Sequence, residues 1–312
     1  MKWKYLLAFG ISAFFLALIF SQADLVKVFG ILKNASLPLV LACVFLEVIN
    51  LSFKVTRWKL FLDAYKLKIR RLDLASTYLA SLFLGNIIPA RIGEVTRPYF
   101  LKKRYKTSFF KLLPVVLVER FLDMGTLLVS SMIFLLFFSF FVSTVFQIIL
   151  MLAFLIILTL MMIMLKKSWM KRAISAILSL LKMKKQLRKI DTFVDNFYIG
   201  LRQLKRMKIF PTLCLTILSF LCEVFTLYLS SLALGLNMGV GIAFGFLSLS
   251  LFAGTISSLP GGLGSTEAVL FALLLLMSVS PALAVSIAVL SRFLSYGLSV
   301  VFSFPFFLRE MK

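Results

Sequence analysis

Residues 85–97 read Gly-Asn-Ile-Ile-Pro-Ala-Arg-Ile-Gly-Glu-Val-Thr-Arg, a stretch that sets a proline, a second glycine and three charged side chains at the end of an apolar run. A proline removes one backbone donor and clashes with the preceding turn, so a helix arriving from residue 73 stops at Pro89. The run it closes, 73–88, has only 16 residues. Crossing a hydrocarbon core about 30 Å thick takes roughly 20 apolar residues at 1.5 Å each.

The flanks decide how so short a segment sits. Basic residues cluster in blocks 54–71, 102–111 and 166–208, which hold 7, 5 and 13 of the 35 Lys and Arg. Connections near 142–144, 235–238 and 279–282 hold none. Lys and Arg in short loops stay on the cytoplasmic side of a membrane. Residues 73–101 lie between two basic blocks, so both ends are expected inside and the segment is expected to enter and return as a re-entrant hairpin. By the same reasoning 239–280 enters from outside, breaks at Pro260-Gly261-Gly262 and returns outward. Full spans are predicted at 5–21, 36–53, 112–141, 145–165, 209–234 and 283–308. The expected fold is an all-α polytopic integral membrane protein of about six spanning helices and two re-entrant hairpins, with both termini cytoplasmic at the inner cell membrane.

Composition agrees with a lipid solvent. Of 312 residues 61% are hydrophobic, with 34 Phe and a mean hydropathy of +1.03, against roughly 45–50% apolar in an ordinary soluble domain. The net charge of +23 is accounted for by topology, and nucleic acid is not an expected partner. The absence of histidine removes the usual general base and zinc ligand, and no metal site or cofactor is expected. Cys43, Cys214 and Cys222 all fall in apolar runs and read as buried hydrophobes. The apolar run after Lys2 and Lys4 lacks a small-x-small cleavage site and reads as a retained first helix. Within 166–208, two stripes of apolar residues at helical spacing among Lys and Arg predict two cationic amphipathic helices on the anionic cytoplasmic leaflet.

Two stretches repeat. Pro89-x-x-x-Gly93-Glu94 is followed by Arg120-Phe121-Leu122-x-x-Gly125, and Pro260-Gly261-Gly262-x-Gly264-x-x-Glu267 by Arg292-Phe293-Leu294-x-x-Gly297. Pro-to-Arg separations are 31 and 32. With the first hairpin facing inward and the second outward, the repeat is inverted, over about 36–141 and 209–308 of a single membrane domain, 1–312. Inverted repeats with broken helices meeting near the midplane are a transporter architecture. Broken backbone is tolerated in lipid only where protein or a wet cavity covers it.

Ionisable groups at membrane depth cost about 2.5–3.5 kcal/mol each on insertion scales, so they pair or line a cavity. Arg91, Glu94, Arg97, Glu119, Arg120, Asp123, Glu267 and Arg292 are the candidates for substrate binding or ion pairing, with Glu47 and Glu223 as weaker ones, as symmetry mates or proton carriers. Glu119, Arg120 and Asp123 share a helix face. Glu267 follows a glycine break where a helix N-terminus favours a carboxylate, so capping and substrate contact both remain open for Glu94 and Glu267. The arginines suit bidentate phosphate binding.

The motifs GNIIPARIGEVTR (85–97), VLVERFLD (116–123) and SLPGGLGSTE (258–267) resemble the transmembrane domain of the lysylphosphatidylglycerol synthase/flippase family, and the resemblance spans nearly the whole chain. It implies a domain that moves an aminoacylated phospholipid between leaflets, while a separate soluble domain makes that lipid. No stretch here matches the soluble aminoacyl-transfer domain, so a carrier is expected and not an enzyme. Relatives fused to glycosyltransferases imply lipid-linked sugars as a second cargo class. The expected partner is a membrane lipid: an anionic or aminoacylated phospholipid, or a lipid-linked sugar. Self-association into a homo-oligomer is left open. Alternatives are a secondary transporter of a small solute, a membrane component or enzyme of lipid or glycan modification, and a non-catalytic partner subunit.

Overall fold

The computed structural model describes residues 2–137, 166–180 and 190–311, with scattered positions between 144 and 163. The described residues are all-α, with no strand among them. In chain order they form α1 (Lys2–Ser21), α2 (Leu25–Lys33), α3 (Leu37–Ala64), α4 (Arg71–Ile87), α5 (Thr96–Tyr105), α6 (Phe109–Phe137), α7 (Lys167–Leu180) and α8 (Ile190–Leu204). Then follow α9 (Ile209–Ala233), α10 (Val240–Ile256), α11 (Ser265–Leu276) and α12 (Pro281–Met311). A 3₁₀ segment, Pro89–Val95, separates α4 from α5, another, Pro260–Gly262, separates α10 from α11, and α12 carries a π-turn at Phe293–Gly297.

Three of these helices, α3, α9 and α12, are each long and apolar enough to cross a bilayer, and residues Gly10–Ser21 with Leu25–Lys33 qualify together as a pair bent by 88°. Of the other expected spans, 112–141 is α6 as far as Phe137, and 145–165 lies outside the described stretches. Between the first two expected spans, residues 22–35 hold α2. The Asp24 side chain starts it by accepting from the Val26 and Lys27 N–H groups at 3.0 and 3.4 Å, satisfying orphan donors of the first turn.

Both short segments do fold as helix–break–helix hairpins. In the first, α5 runs back along α4: Arg97 Nε donates to Ser81 Oγ at 2.7 Å, and one hairpin-length further Arg104 reaches Asp73 at 2.6 Å. Gly93 makes the fold-back possible, because a Cβ there would drive into the backbone of Leu84. In the second, α11 returns along α10 with Ser257 Oγ 2.8 Å from Ser265 Oγ. Gly254 leaves room for the Thr266 side chain.

The long helices α3 and α9 pack along each other through small polar positions. Thr216, Thr226 and Ser230 of α9 donate to the carbonyls one turn back at 2.6–2.9 Å, the arrangement that lets hydroxyls sit at helix interfaces away from water. Cys43 Sγ approaches Thr226 O at 3.7 Å. Cys43 and Cys222 are buried free thiols, and Cys214 is partly buried.

One expectation changes in kind. Two amphipathic helices lie in this stretch as α7 and α8, but only α7 is basic; α8 carries Asp191, Asp195 and Arg202, and its apolar stripe docks on protein. Val194 and Phe197 are buried against Leu113 and Leu117 of α6 and Met170 of α7. Gly200 brings α8 against Lys111 O, with Tyr65 Oη donating to Gly200 O at 2.9 Å. Burying a side chain such as Phe197 is worth about 1.5–3 kcal/mol, and α6 offers the matching surface. Lys167–Asp195 and Lys171–Asp191 contacts of 2.5 Å tie α7 to α8. The hydrogen bond to Asp191 raises the Lys171 pKa above its ordinary value.

Candidate functional site

The two helix breaks meet. Ala90 N donates to Ser258 O at 3.0 Å, at the edge of the second break. Tyr296 Oη, from the π-turn of α12, donates to Asn86 O at 3.0 Å, and Asn86 Nδ2 donates to Ser299 Oγ at 3.0 Å. The backbone groups freed by the breaks are thus held from the opposite half of the molecule, as broken helices in an apolar medium require.

Beside this junction lies a cavity of about 380 Å³, toward the small end of the roughly 300–1,000 Å³ typical of ligand sites. Its wall is built from α3, α4, both breaks, α6, α9, α10 and the π-turn region of α12. The charged side chains that line it are Glu47, Lys54, Arg57, Arg91, Arg120, Asp123, Glu223 and Arg292.

Six charges form a closed ring of alternating sign beside and behind that wall. Arg57 binds Glu119 at 2.7 Å, Glu119 binds Arg97, Arg97 binds Glu94 at 3.1 Å, Glu94 binds Arg120, Arg120 meets Asp123 at 3.5 Å, and Asp123 returns to Arg57 at 2.6 Å. Arg97, Glu94 and Glu119 are fully buried. The Arg97 guanidinium also stacks over Tyr78 at 4.1 Å and Trp58 at 5.3 Å. Every carboxylate of the ring bridges two guanidinium groups, the condition under which buried charges hold together.

The second half repeats the key contact on a smaller scale. Arg292 Nε donates to Glu267 Oε1 at 2.9 Å, and its Nη2 donates to Gly261 O at 2.6 Å. Glu267 Oε2 accepts from Gly264 N at 2.7 Å, capping α11. The Arg of each Arg-Phe-Leu motif therefore clasps a Glu at the end of the break or just past it in its own half, Arg120 to Glu94 and Arg292 to Glu267.

Across the cavity, α3 and α9 supply a third group. Lys54 binds Glu223 at 2.8 Å, and Asn50 Nδ2 donates to Glu47 at 3.0 Å and to Glu223 at 3.4 Å, while Ser219 Oγ donates to Asn50 Oδ1 at 2.6 Å. Glu47 and Glu223 thus share one asparagine.

Arg91 stands apart from these groups. Its guanidinium lines the cavity and has neither ion-pair nor hydrogen-bond partner among the described residues. Its backbone lies at φ +53°, next to Ala90 at φ +55°. Left-handed backbone costs a residue with a Cβ roughly 1–2 kcal/mol. Such outliers persist where the surroundings hold them in place, and they gather at functional sites.

The structure divides the sequence-nominated residues. Arg91, Arg120, Asp123, Arg292, Glu47 and Glu223 line the cavity, whereas Glu94, Arg97, Glu119 and Glu267 stand behind it as partners. Pro89, Gly93, Pro260, Gly261, Gly262 and Gly264 lie at the two breaks or close their ends. One sequence assignment needs correction. Lys54 and Arg57, counted with the basic block 54–71, belong to α3, which runs on to Ala64, and line the cavity; Lys59, Lys66, Lys68, Arg70 and Arg71 do not line it. The missed signal was a stripe at spacing three and four, Glu47, Asn50, Lys54 and Arg57, which a helix carries on one face. Among the described residues no three of Cys, Asp and Glu converge as a metal site would require.

An all-α membrane protein whose two interrupted helices meet at a charged cavity is the class that fold and site define. Sequence comparison then assigns the family: the model of the lysylphosphatidylglycerol synthase TM region matches residues 5–303, and the chain belongs to that family. Among relatives, UPF0104 membrane protein MJ1078 of Methanocaldococcus jannaschii is 28% identical over 227 residues, covering 71% of this chain and 91% of the relative. UPF0104 membrane protein PH1989 of Pyrococcus horikoshii is 25% identical over 317 residues, covering 94% and 93%.

Proposed function

We propose that this protein moves a membrane lipid between leaflets, with the phosphate-bearing headgroup passing through the cavity while the acyl chains stay in the bilayer. The observation that carries this reading is Arg91, an unpaired guanidinium held in strained backbone and lining a cavity where two helix breaks meet. Guanidinium offers a planar fork of donors matched to phosphate oxygens, and the half-buried Arg91 side chain, with no ion-pair or hydrogen-bond partner among the described residues, has that fork free for a ligand anion. Arg120 and Arg292 flank the same space, already tethered to carboxylates, and are placed to add charge-assisted hydrogen bonds without being free to reorganise.

In this reading the two halves are inverted repeats in the inner membrane, both termini face the cytoplasm, and the cavity opens to alternate sides as one hairpin moves against the other. The cargo is an anionic or aminoacylated phospholipid or a lipid-linked sugar, and the protein makes no covalent change to it. The test is reconstitution into phosphatidylcholine vesicles containing fluorescent phosphatidylglycerol, following loss of the label from one leaflet. Wild type is expected to exchange label between leaflets, and Arg91→Gln to do so at least tenfold more slowly while folding normally. Equal rates for the two proteins would remove Arg91 from the pathway. Uptake of water-soluble phosphate esters with no lipid movement would favour a solute transporter.

A further inference from the structure

The cavity's charges balance with a remainder of two, and the remainder is informative. The ring contributes three guanidinium groups and three carboxylates. Arg292 is matched by Glu267 and Lys54 by Glu223. What is left is Arg91, without a partner, and Glu47, whose carboxylate has only the Asn50 amide and no cation within ion-pair distance among the described residues. Glu47 is 2% exposed and lines the same cavity as Arg91. With Glu47 ionised the whole assembly is neutral. A singly charged anion bound at Arg91 would leave it at minus one, in surroundings where uncompensated charge is expensive.

We infer that Glu47 is a proton-binding site coupled to anion occupancy of the cavity: one proton is taken up at Glu47 when a phosphodiester binds at Arg91, and released when it leaves. The inference rests on the anion-binding reading above and adds to it a proton stoichiometry and a named carrier. Asn50 keeps its amide nitrogen toward Glu47 and Glu223 and its oxygen toward Ser219, so protonation leaves Glu47 still accepting from Asn50 while the charge disappears. The groups around Glu47 are Cys43, Lys54 and Arg57 on its own helix and Cys222 and Glu223 on α9. Tyr78 comes from α4, Arg91 from the first break, Arg120 and Asp123 from α6, and Arg292 and Tyr296 from α12, all lining the same cavity. Helix α8 meets α3 only at the far end, near Tyr65. Of the carboxyls in that set, Glu223 and Asp123 have their cations and Glu47 does not.

The experiment uses the full chain in nanodiscs and two probes whose charge is constant through the neutral range, soluble dimethyl phosphate and phosphatidylglycerol in the disc. Affinity is measured against pH, and proton uptake from the buffer dependence of the binding heat. Expected for wild type is binding that strengthens as pH falls, by up to about tenfold per pH unit for one linked proton, with uptake near one proton. Glu47→Gln, which mimics the protonated group and retains the Asn50 contact, should bind at every pH with no proton uptake. Binding of either probe to wild type that is flat with pH overturns the coupling and leaves the anion site standing. Binding of neither probe overturns the anion site and the coupling together. Binding of the lipid probe alone, with uptake, identifies a headgroup; binding of both identifies a site for phosphodiesters generally. A Glu47→Gln protein that keeps the wild-type pH slope would move the proton elsewhere and refute the assignment.

Discussion

The first and second helix breaks solve one geometric problem with different residues. Each begins with proline and places two successive residues in left-handed backbone: Ala90 and Arg91 at φ +55° and +53° in the first, Gly261 and Gly262 at φ +58° and +68° in the second. Each is locked by an arginine one helix further on, Arg120 of α6 and Arg292 of α12, that grips a glutamate at the end of the break or just past it. Glycine accepts this backbone without strain, so the turn after Pro260 is the relaxed solution, with Ser258 just before it the one left-handed residue there that carries a side chain. The first carries side chains where none is sterically favoured, and one of them is the cavity's unpaired guanidinium. On the function proposed above, the first break is the binding element and the second the anchoring one.

The largest expected effect tests how differently the two are anchored. Arg97 lies in the closed ring and is fully buried, with both its carboxylates shared with other guanidinium groups. Arg97→Met leaves Glu94 and Glu119 each short of one partner, and breaking a buried pair in this way costs about 3–5 kcal/mol. Arg292→Met removes one partner of Glu267, which keeps the Gly264 amide, so a smaller loss of about 1–3 kcal/mol is expected for one charged hydrogen-bonding group left partly satisfied. Unfolding of both variants in detergent, compared with wild type, gives the order. Equal losses would mean that the ring is no more than a set of independent pairs.

Next comes the fold-back itself. A Cβ at Gly93 would collide with the Leu84 backbone, which cannot swing aside as a side chain can. Gly93→Ala is expected to cost about 1–3 kcal/mol, as overpacking does, and to loosen the α4–α5 hairpin. Protease sensitivity within 88–96 reads this out directly. A Gly93→Ala protein as resistant as wild type would show that the first break has slack the packing does not suggest.

How much of this could be read from residues alone follows from range. The breaks were legible because proline and glycine act on their own backbone, and the paired motifs around Arg120 and Arg292 were legible because they recur at nearly equal spacing. Three of the expected spans, α3, α9 and α12, followed from apolar length. Lys54 and Arg57 were lost because they abut a basic stretch, and topology reasoning counts Lys and Arg without asking which helix face they occupy. The ring was hidden for another reason. It joins α3, the first break, α5 and α6, and Arg57 lies 62 residues from Glu119, so no local pattern connects them. The docking of α8 onto α6 was likewise invisible, since an apolar stripe looks the same whether lipid or protein will cover it.

The smallest effect is the sharpest test of the contrast between the breaks, because it reverses sign between equivalent positions. Ala90→Gly removes a left-handed penalty of roughly 1–2 kcal/mol, against which the freer unfolded chain of glycine sets about 0.4–1 kcal/mol. A net gain of about 0.5–1 kcal/mol is expected. Gly261→Ala incurs the same backbone penalty, and its Cβ would also meet Tyr296 Cζ and Oη at 2.5 and 2.6 Å, so it should lose stability. If Ala90→Gly stabilises the protein yet slows lipid exchange, the strained turn is what holds the neighbouring Arg91 toward its ligand, since the substitution removes no polar group from the cavity. If exchange is unchanged, the guanidinium reaches its place without help from that backbone, and the two breaks differ only in the side chain at their second left-handed residue.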